Sequence, residues 1–318
     1  MSLYESVQAV ASASGDETVD WDAVARAAKA ATDPGRIELS PDDEQAYAAD
    51  VRAARERIRD VSALSFDVPE TVEIQNRHHW IDANVETFRR VVAPLEDQRV
   101  AFEDAARTLN TATTAAALAF VSRHVMGQYD PLLLGESDVH RLYFVHPNLL
   151  RAADELDVDF PRFRRWIAFH EVTHAAEFGA APWLDDYLAE RVQAGMEAFA
   201  EHRFDSEPFR ELNRAMTAVE GYAELLMDEA FDDDYDDLRR KLDERRGGGD
   251  PITKLFRRLL GFQLKREQYE RGRAFFEAVV DARGVEAAGR VWDDPAFLPT
   301  EAELENPSAW LARVPESA

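Results

Sequence analysis

Apolar positions along this chain recur mostly at helical spacing, in long stretches rich in Ala, Arg and Glu with few runs of β-branched residues. The pattern predicts helices over Trp21 to Ala31, Pro41 to Ser62, Asn84 to Pro94, Leu95 to Met126 and Pro161 to Phe178. Further helices are predicted over Leu184 to Glu201, Phe209 to Phe231, Ile252 to Ala282 and Val285 to Val291. One run, Arg141-Leu-Tyr-Phe-Val-His146, reads as a strand stopped by Pro147-Asn148. The acidic stretch Asp232 to Asp237 and the Gly247-Gly-Gly-Asp-Pro251 run separate two helical blocks and read as an exposed loop. The expected fold class is mainly α with at most a short strand or small sheet. Residues 1–65 form an acidic helical N-terminal part, set apart from or continuous with a principal domain over residues 66–318.

Charge narrows the partners. With 37 Lys+Arg against 62 Asp+Glu, the formal charge is -25, a field that repels phosphate backbones and anionic lipid surfaces. Nucleic acid and membrane are therefore not expected partners. The only lysines are Lys29, Lys241, Lys254 and Lys265, so nearly all positive charge is arginine. A carboxylate-covered surface stays folded where concentrated salt screens its self-repulsion, which points to a halophilic cytoplasm. The N-terminus lacks a basic segment followed by an apolar one, so no secretory signal is read. The longest apolar run, Thr114 to Val121, is far short of the roughly 20 residues that span a bilayer. With no cysteine, thiolate ligands and thiol nucleophiles are excluded, and a metal would need His, Asp or Glu.

The candidate chemistry lies at His170-Glu171-Val172-Thr173-His174. Two histidines four apart share one helix face, so both imidazoles can reach one zinc ion. The intervening Glu171 can turn toward the metal's open position and take a proton from a zinc-activated water as it attacks a carbonyl. Such a string arises by chance in roughly one or two of a hundred chains of this make-up, so its flanks matter. Trp166-Ile-Ala-Phe169 before it and Ala175-Ala-Glu-Phe178 after it continue an amphipathic helix without Pro or Gly.

Catalytic zinc needs a third protein ligand. Glu220 and Glu224 lie one turn apart on a predicted helix, where the first can bind the ion and the second accept a hydrogen bond from a ligand histidine. Glu220-Gly-Tyr-Ala223 resembles the Glu-Gly-Phe-Ala segment of glutamate zincins, in which the leading Glu is the third ligand. That favours Glu220, with Glu224 and His202 as alternatives. The 45 residues between His174 and Glu220 would have to accommodate an extra helical hairpin, roughly Trp183 to Asn213. The His78-His79 pair, His124, His140 and His146 have no partner at ligand spacing and read as packed or surface residues. Tyr222 and Tyr269 are candidates for stabilising an oxyanion.

Several segments together resemble a family of zincin-like, zinc-dependent metalloproteases of actinobacteria and archaea, some of whose members carry an association with deazaflavin coenzyme biosynthesis. They are Trp80-Ile-Asp-Ala-Asn84, Met126-Gly-Gln-Tyr-Asp-Pro131, Phe144-Val-His-Pro-Asn148, Phe169-His-Glu-Val-Thr-His174 and Glu220-Gly-Tyr-Ala-Glu224, followed by Leu259-Leu-Gly261, Gln268-Tyr-Glu-Arg-Gly272 and Trp292 through Pro299. The resemblance implies a mainly helical zincin-like fold with His170 and His174 as ligands and Glu171 as catalytic glutamate. The expected activity is that of a zinc metallohydrolase with one Zn2+ ion, acting on peptides. Alternatives are a non-catalytic zinc-containing scaffold or partner-binding protein, and a hydrolase of a small amide linked to coenzyme biosynthesis.

Overall fold

Local sequence starts and stops the helices that matter. In the computed structural model, helix α3 (Pro41–Ser62) opens on a capping box in which Ser40 and Asp43 satisfy each other's backbone N–H, with Pro41 in the first turn. It ends at Ala63 in the left-handed conformation (φ 56°). Helix α7 (Phe160–Ala180) opens on Asp159, whose carboxylate accepts from Arg162 N–H, and it carries the HEVTH segment in its second half. The structure describes residues 3–14, 18–69, 71–96, 103–130, 141–201, 203, 206–231, 235, 237–238, 240–241 and 266–315.

The remaining principal elements are α1 (Leu3–Ala11), α2 (Trp21–Ala30), β1 (Val72–Gln75), α4 (Arg77–Glu96), α5 (Glu103–Ser122), β2 (Gly127–Asp130), β3 (Arg141–Val145) and α6 (His146–Leu156). After α7 follow α8 (Leu184–Ala200), α9 (Glu207–Ala230), α10 (Arg266–Arg283), α11 (Val285–Gly289), α12 (Glu301–Glu305) and α13 (Pro307–Arg313). The protein is mainly α, with one small sheet. None of the described helices is long and apolar enough to cross a membrane.

The sheet has the order β1-β3-β2. β1 runs parallel to β3 with Val72 opposite Leu142, and β2 runs antiparallel to β3 with Gly127 opposite Phe144 and Tyr129 opposite Leu142. The central strand β3 is buried on both faces, so it reads as a continuous apolar run. Leu142, Phe144 and Tyr129 face the larger core with α3, α6, α7, α9 and α10; Val145 faces a second core built by Trp21, Val24, Trp80, Ile81 and Leu118. The sheet is thus a partition between two cores.

Helix α3 lies against α7 through a buried ion pair, Arg164 Nε to Asp50 Oδ2 at 2.7 Å, with the Arg164 guanidinium over the Tyr47 ring. The Tyr47 hydroxyl in turn meets His146 Nδ1 at 2.9 Å. A buried pair of this kind is costly to break because one charge is left uncompensated, so it fixes how α3 sits on the helix that carries HEVTH.

The predicted helices are found, with shifted ends. α4 begins at Arg77 rather than near Asn84 and takes in Leu95 and Glu96, while the helix expected over Leu95 to Met126 is found as α5, which stops at Ser122. The strand expected over 141–146 ends at Val145, because His146 and Pro147 open α6 instead; proline in a first turn removes no helical hydrogen bond. α6, β1 and β2 were not expected. The two strands are four residues each, too short for an alternating pattern to declare itself. The acidic and glycine runs, residues 252–265, His140, His202 and the Tyr269 side chain lie largely or wholly outside the described residues.

Candidate metal centre

His170 and His174 project from α7 with ring centroids 4.7 Å apart and planes at 76°. Glu220, in the middle of α9, meets them across the α7–α9 contact, and one ligand atom from each of His170, His174 and Glu220 lies within 4.8 Å of the other two. All three are partly accessible. Among the described residues this is the only group of three or more His, Asp or Glu side chains so disposed. The sequence between the two helices is taken up by α8, which packs on α9 and supplies the first arm of the expected hairpin.

α9 is brought close by glycine. A Cβ on Gly221 would lie 2.5 Å from the backbone of Gly272 on α10, and one on Gly272 would run into the Thr217 carbonyl. The two helices therefore cross backbone to backbone directly behind Glu220, a contact open only to glycine on both sides.

Glu171 is held apart from the ligand group. Its Oε2 accepts a 2.9 Å hydrogen bond from the Tyr129 N–H of β2, and a Cβ on Gly127 would fall 2.5 Å from its Oε1. The strand pairing explains why that N–H is available. Val145 N donates to Met126 O, so by antiparallel alternation residues 126 and 128 bond to β3 while the backbone groups of Gly127 and Tyr129 point outward. β2 is an edge strand whose outward N–H grips the glutamate.

Behind His174 stands Glu177, one turn along α7 and fully buried, with its Oε2 2.9 Å from His174 Nδ1. With Glu177 accepting from Nδ1–H, Nε2 is the ring nitrogen of His174 that could bind a metal. Glu177 was passed over in the sequence, although it occupies the position three residues after a candidate ligand and so shares its helix face. Glu224 is buried one turn beyond Glu220. Tyr222, expected as a possible oxyanion donor, points the other way: its ring is fully buried, edge-on to Phe276 and Trp292, out of a substrate's reach. His78 meets the Thr32 carbonyl, His124 the Phe120 carbonyl and His146 the Tyr47 hydroxyl, each a local packing role.

The electrostatics call for a cation. Burial pushes the Glu171 carboxyl up to about 7, against the pull of His174 and the Tyr129 N–H, and burial likewise raises Glu177 to about 7 against its bond with His174. Burial alone would discharge His174; its hydrogen bond to Glu177 and the carboxylates of Glu220 and Glu171 outweigh that and raise it to about 10. Without a metal, then, a proton on His174 supplies positive charge that three carboxylates demand. The second oxygen of Glu177 is buried with no hydrogen-bond partner, so this carboxylate depends on a positively polarised imidazole for its stability. Two imidazoles and one carboxylate, backed by a carboxylate–histidine contact, are a donor set that fits zinc.

Comparison with known proteins agrees with this geometry. The family model for zincin-like metallopeptidases matches residues 19–207 and 198–311. No curated protein matches at a significant level. Among solved structures, one from Chloroflexus aurantiacus, described as a candidate hydrolase with a novel fold, is similar over 98% of each chain, at 27% identity and a TM-score of 0.75. Matched across both halves, from the second helix to the last, the chain belongs to the zincin-like metallopeptidase family.

Proposed function

We propose that this protein is a zinc-dependent peptidase in which one ion is held by His170, His174 and Glu220, and Glu171 is the general base and acid. The observation that carries the reading is the arrival of Glu220, across 45 intervening residues, within 4.8 Å of both imidazoles, with Glu171 beside the group and outside it. Three protein ligands, and no fourth among the described residues, suit a catalytic site better than a closed structural one.

When bound, zinc acidifies a water and polarises the carbonyl of the bond to be cut. Glu171 accepts the proton of the attacking water on one carboxylate oxygen and passes it to the departing amine nitrogen. The Tyr129 N–H holds its other oxygen meanwhile, so the carboxylate moves a proton without losing its place. Glu177 orients His174, and Gly127 leaves the space that the Glu171 side chain fills.

The test is metal content together with cleavage. Purified full-length protein should carry one zinc per chain by plasma mass spectrometry and cut members of a mixed peptide library, with cleavage lost on chelation and restored by zinc. Cleavage that survives complete removal of metal would overturn the reading. Glu177→Leu is expected to weaken zinc binding by about 10–100-fold, read by competition with a chelating dye, because the ligand imidazole loses the partner that orients it.

A further inference from the structure

Trp80 and Asn84 on α4 and Gln128 on β2 form one directional chain of hydrogen bonds. The Trp80 indole N–H donates to Gln128 Oε1 at 2.6 Å, Gln128 Nε2 donates to Asn84 Oδ1 at 3.0 Å, and Asn84 Nδ2 donates to the Trp80 carbonyl at 2.9 Å. Trp80 and Asn84 lie one turn apart on α4 and both are buried.

The chain has a single allowed orientation. An indole N–H can only donate, so the oxygen of Gln128 must face it; the Gln128 nitrogen must then face the Asn84 oxygen, and the Asn84 nitrogen the carbonyl. No amide can flip without setting donor against donor. Such a fully satisfied, partly buried network is stiff as well as stabilising.

Gln128 is the middle residue of the short strand that grips Glu171. Its side chain leaves β2 on the face toward Trp80, while Gly127 and Tyr129 present the opposite face to α7, where Tyr129 packs on Phe178. Among the described residues β2 has one sheet neighbour, β3, and four residues with which to pair. An edge strand so short is weakly fixed by its ladder alone.

We propose that Gln128 is a positioning residue for Glu171: held between Trp80 and Asn84, it sets the placement of β2 and so of the Tyr129 N–H that keeps the catalytic carboxylate at hydrogen-bonding distance. This inference rests on the reading of Glu171 as the proton-transfer group. It assigns to α4, on the far side of the sheet, the task of anchoring the edge strand from behind.

The test uses full-length protein labelled with 15N-tyrosine and stripped of metal, the peaks of Tyr129 and Tyr143 being identified by their loss in Tyr129→Phe and Tyr143→Phe. Tyr129 N–H reports the contact with Glu171; Tyr143, opposite Gln128 in the register, reports the pairing of β2 with β3. In Gln128→Leu the Tyr129 amide is expected to exchange with solvent about tenfold faster or more, with Tyr143 little changed. Trp80→Phe, which keeps an aromatic ring there but loses the indole N–H along with part of its buried volume, should give the same selective change and serves if Gln128→Leu does not fold. Glu171→Gln supplies the reference position for a Tyr129 amide whose carboxylate partner has been replaced. If Tyr129 is unaffected in both variants, or if Tyr143 accelerates equally, Gln128 merely pins the sheet and the proposal is wrong. Neither zinc nor substrate enters the measurement, so the proposal can fail while the peptidase reading stands, and metal content and turnover judge that reading separately.

Discussion

Glu171→Gln is expected to lower turnover by roughly 10²–10⁴-fold while leaving zinc content and KM nearly unchanged. The amide matches the carboxylate in size, which matters because the side chain is buried and fills the space where a Cβ on residue 127 would lie. Its carbonyl oxygen can still accept from the Tyr129 N–H. What the variant lacks is a second oxygen able to take a proton, so the contact survives and the chemistry stops. Steady-state cleavage of whichever library peptide the wild type cuts best, measured beside metal content, reads the outcome. Equal rates for the two proteins would remove Glu171 from the mechanism.

The second large effect is expected from Glu220→Ala. Zinc held by protein side chains in small domains is worth apparent binding free energies of about 10–16 kcal/mol, so losing one of three protein ligands should weaken binding on the order of a hundred- to a thousandfold. Glu220 sits mid-helix and is partly accessible, so its removal leaves no large cavity and the loss should show in metal affinity far more than in folding. Glu224→Ala is the comparison. Glu224 is buried one turn further along α9, and its loss should cost less zinc affinity than that of Glu220. The reverse order would move the third ligand to Glu224.

Why His170, Glu171 and His174 could be singled out together from sequence is geometric. All three fall within one turn and a half of a single helix, so helical periodicity alone puts them together. Glu220 needed a second signal, its likeness to a known ligand segment, since no local rule links positions 174 and 220. Glu177 was within sight of the same helical rule, but what distinguishes it is complete burial beside His174, which depends on how other elements pack on α7 and not on helical spacing. The strand that grips Glu171 was hidden for another reason. Gly127-Gln-Tyr-Asp130 has weak strand propensity and gains its form from β3 on one edge and Trp80 behind it, a tertiary effect that outweighs local preference. Tyr222 was left open between packing and an oxyanion role, because its helix position beside Glu220 says nothing about which way the ring turns; Phe276 and Trp292 receive it in the core.

The crossing of Gly221 and Gly272 has a thermodynamic consequence. With no side chain between α9 and α10, neither helix can shift far without moving the other, so Glu220, the proposed ligand, is coupled to the C-terminal helices of residues 266–315. Anything that binds only the assembled arrangement stabilises both together, by RT ln(1 + [L]/Kd) for free metal at concentration [L]. Metal supply would then set the lifetime of the C-terminal helices as well as the number of competent sites, making the ion a structural clasp for a part of the molecule it never touches.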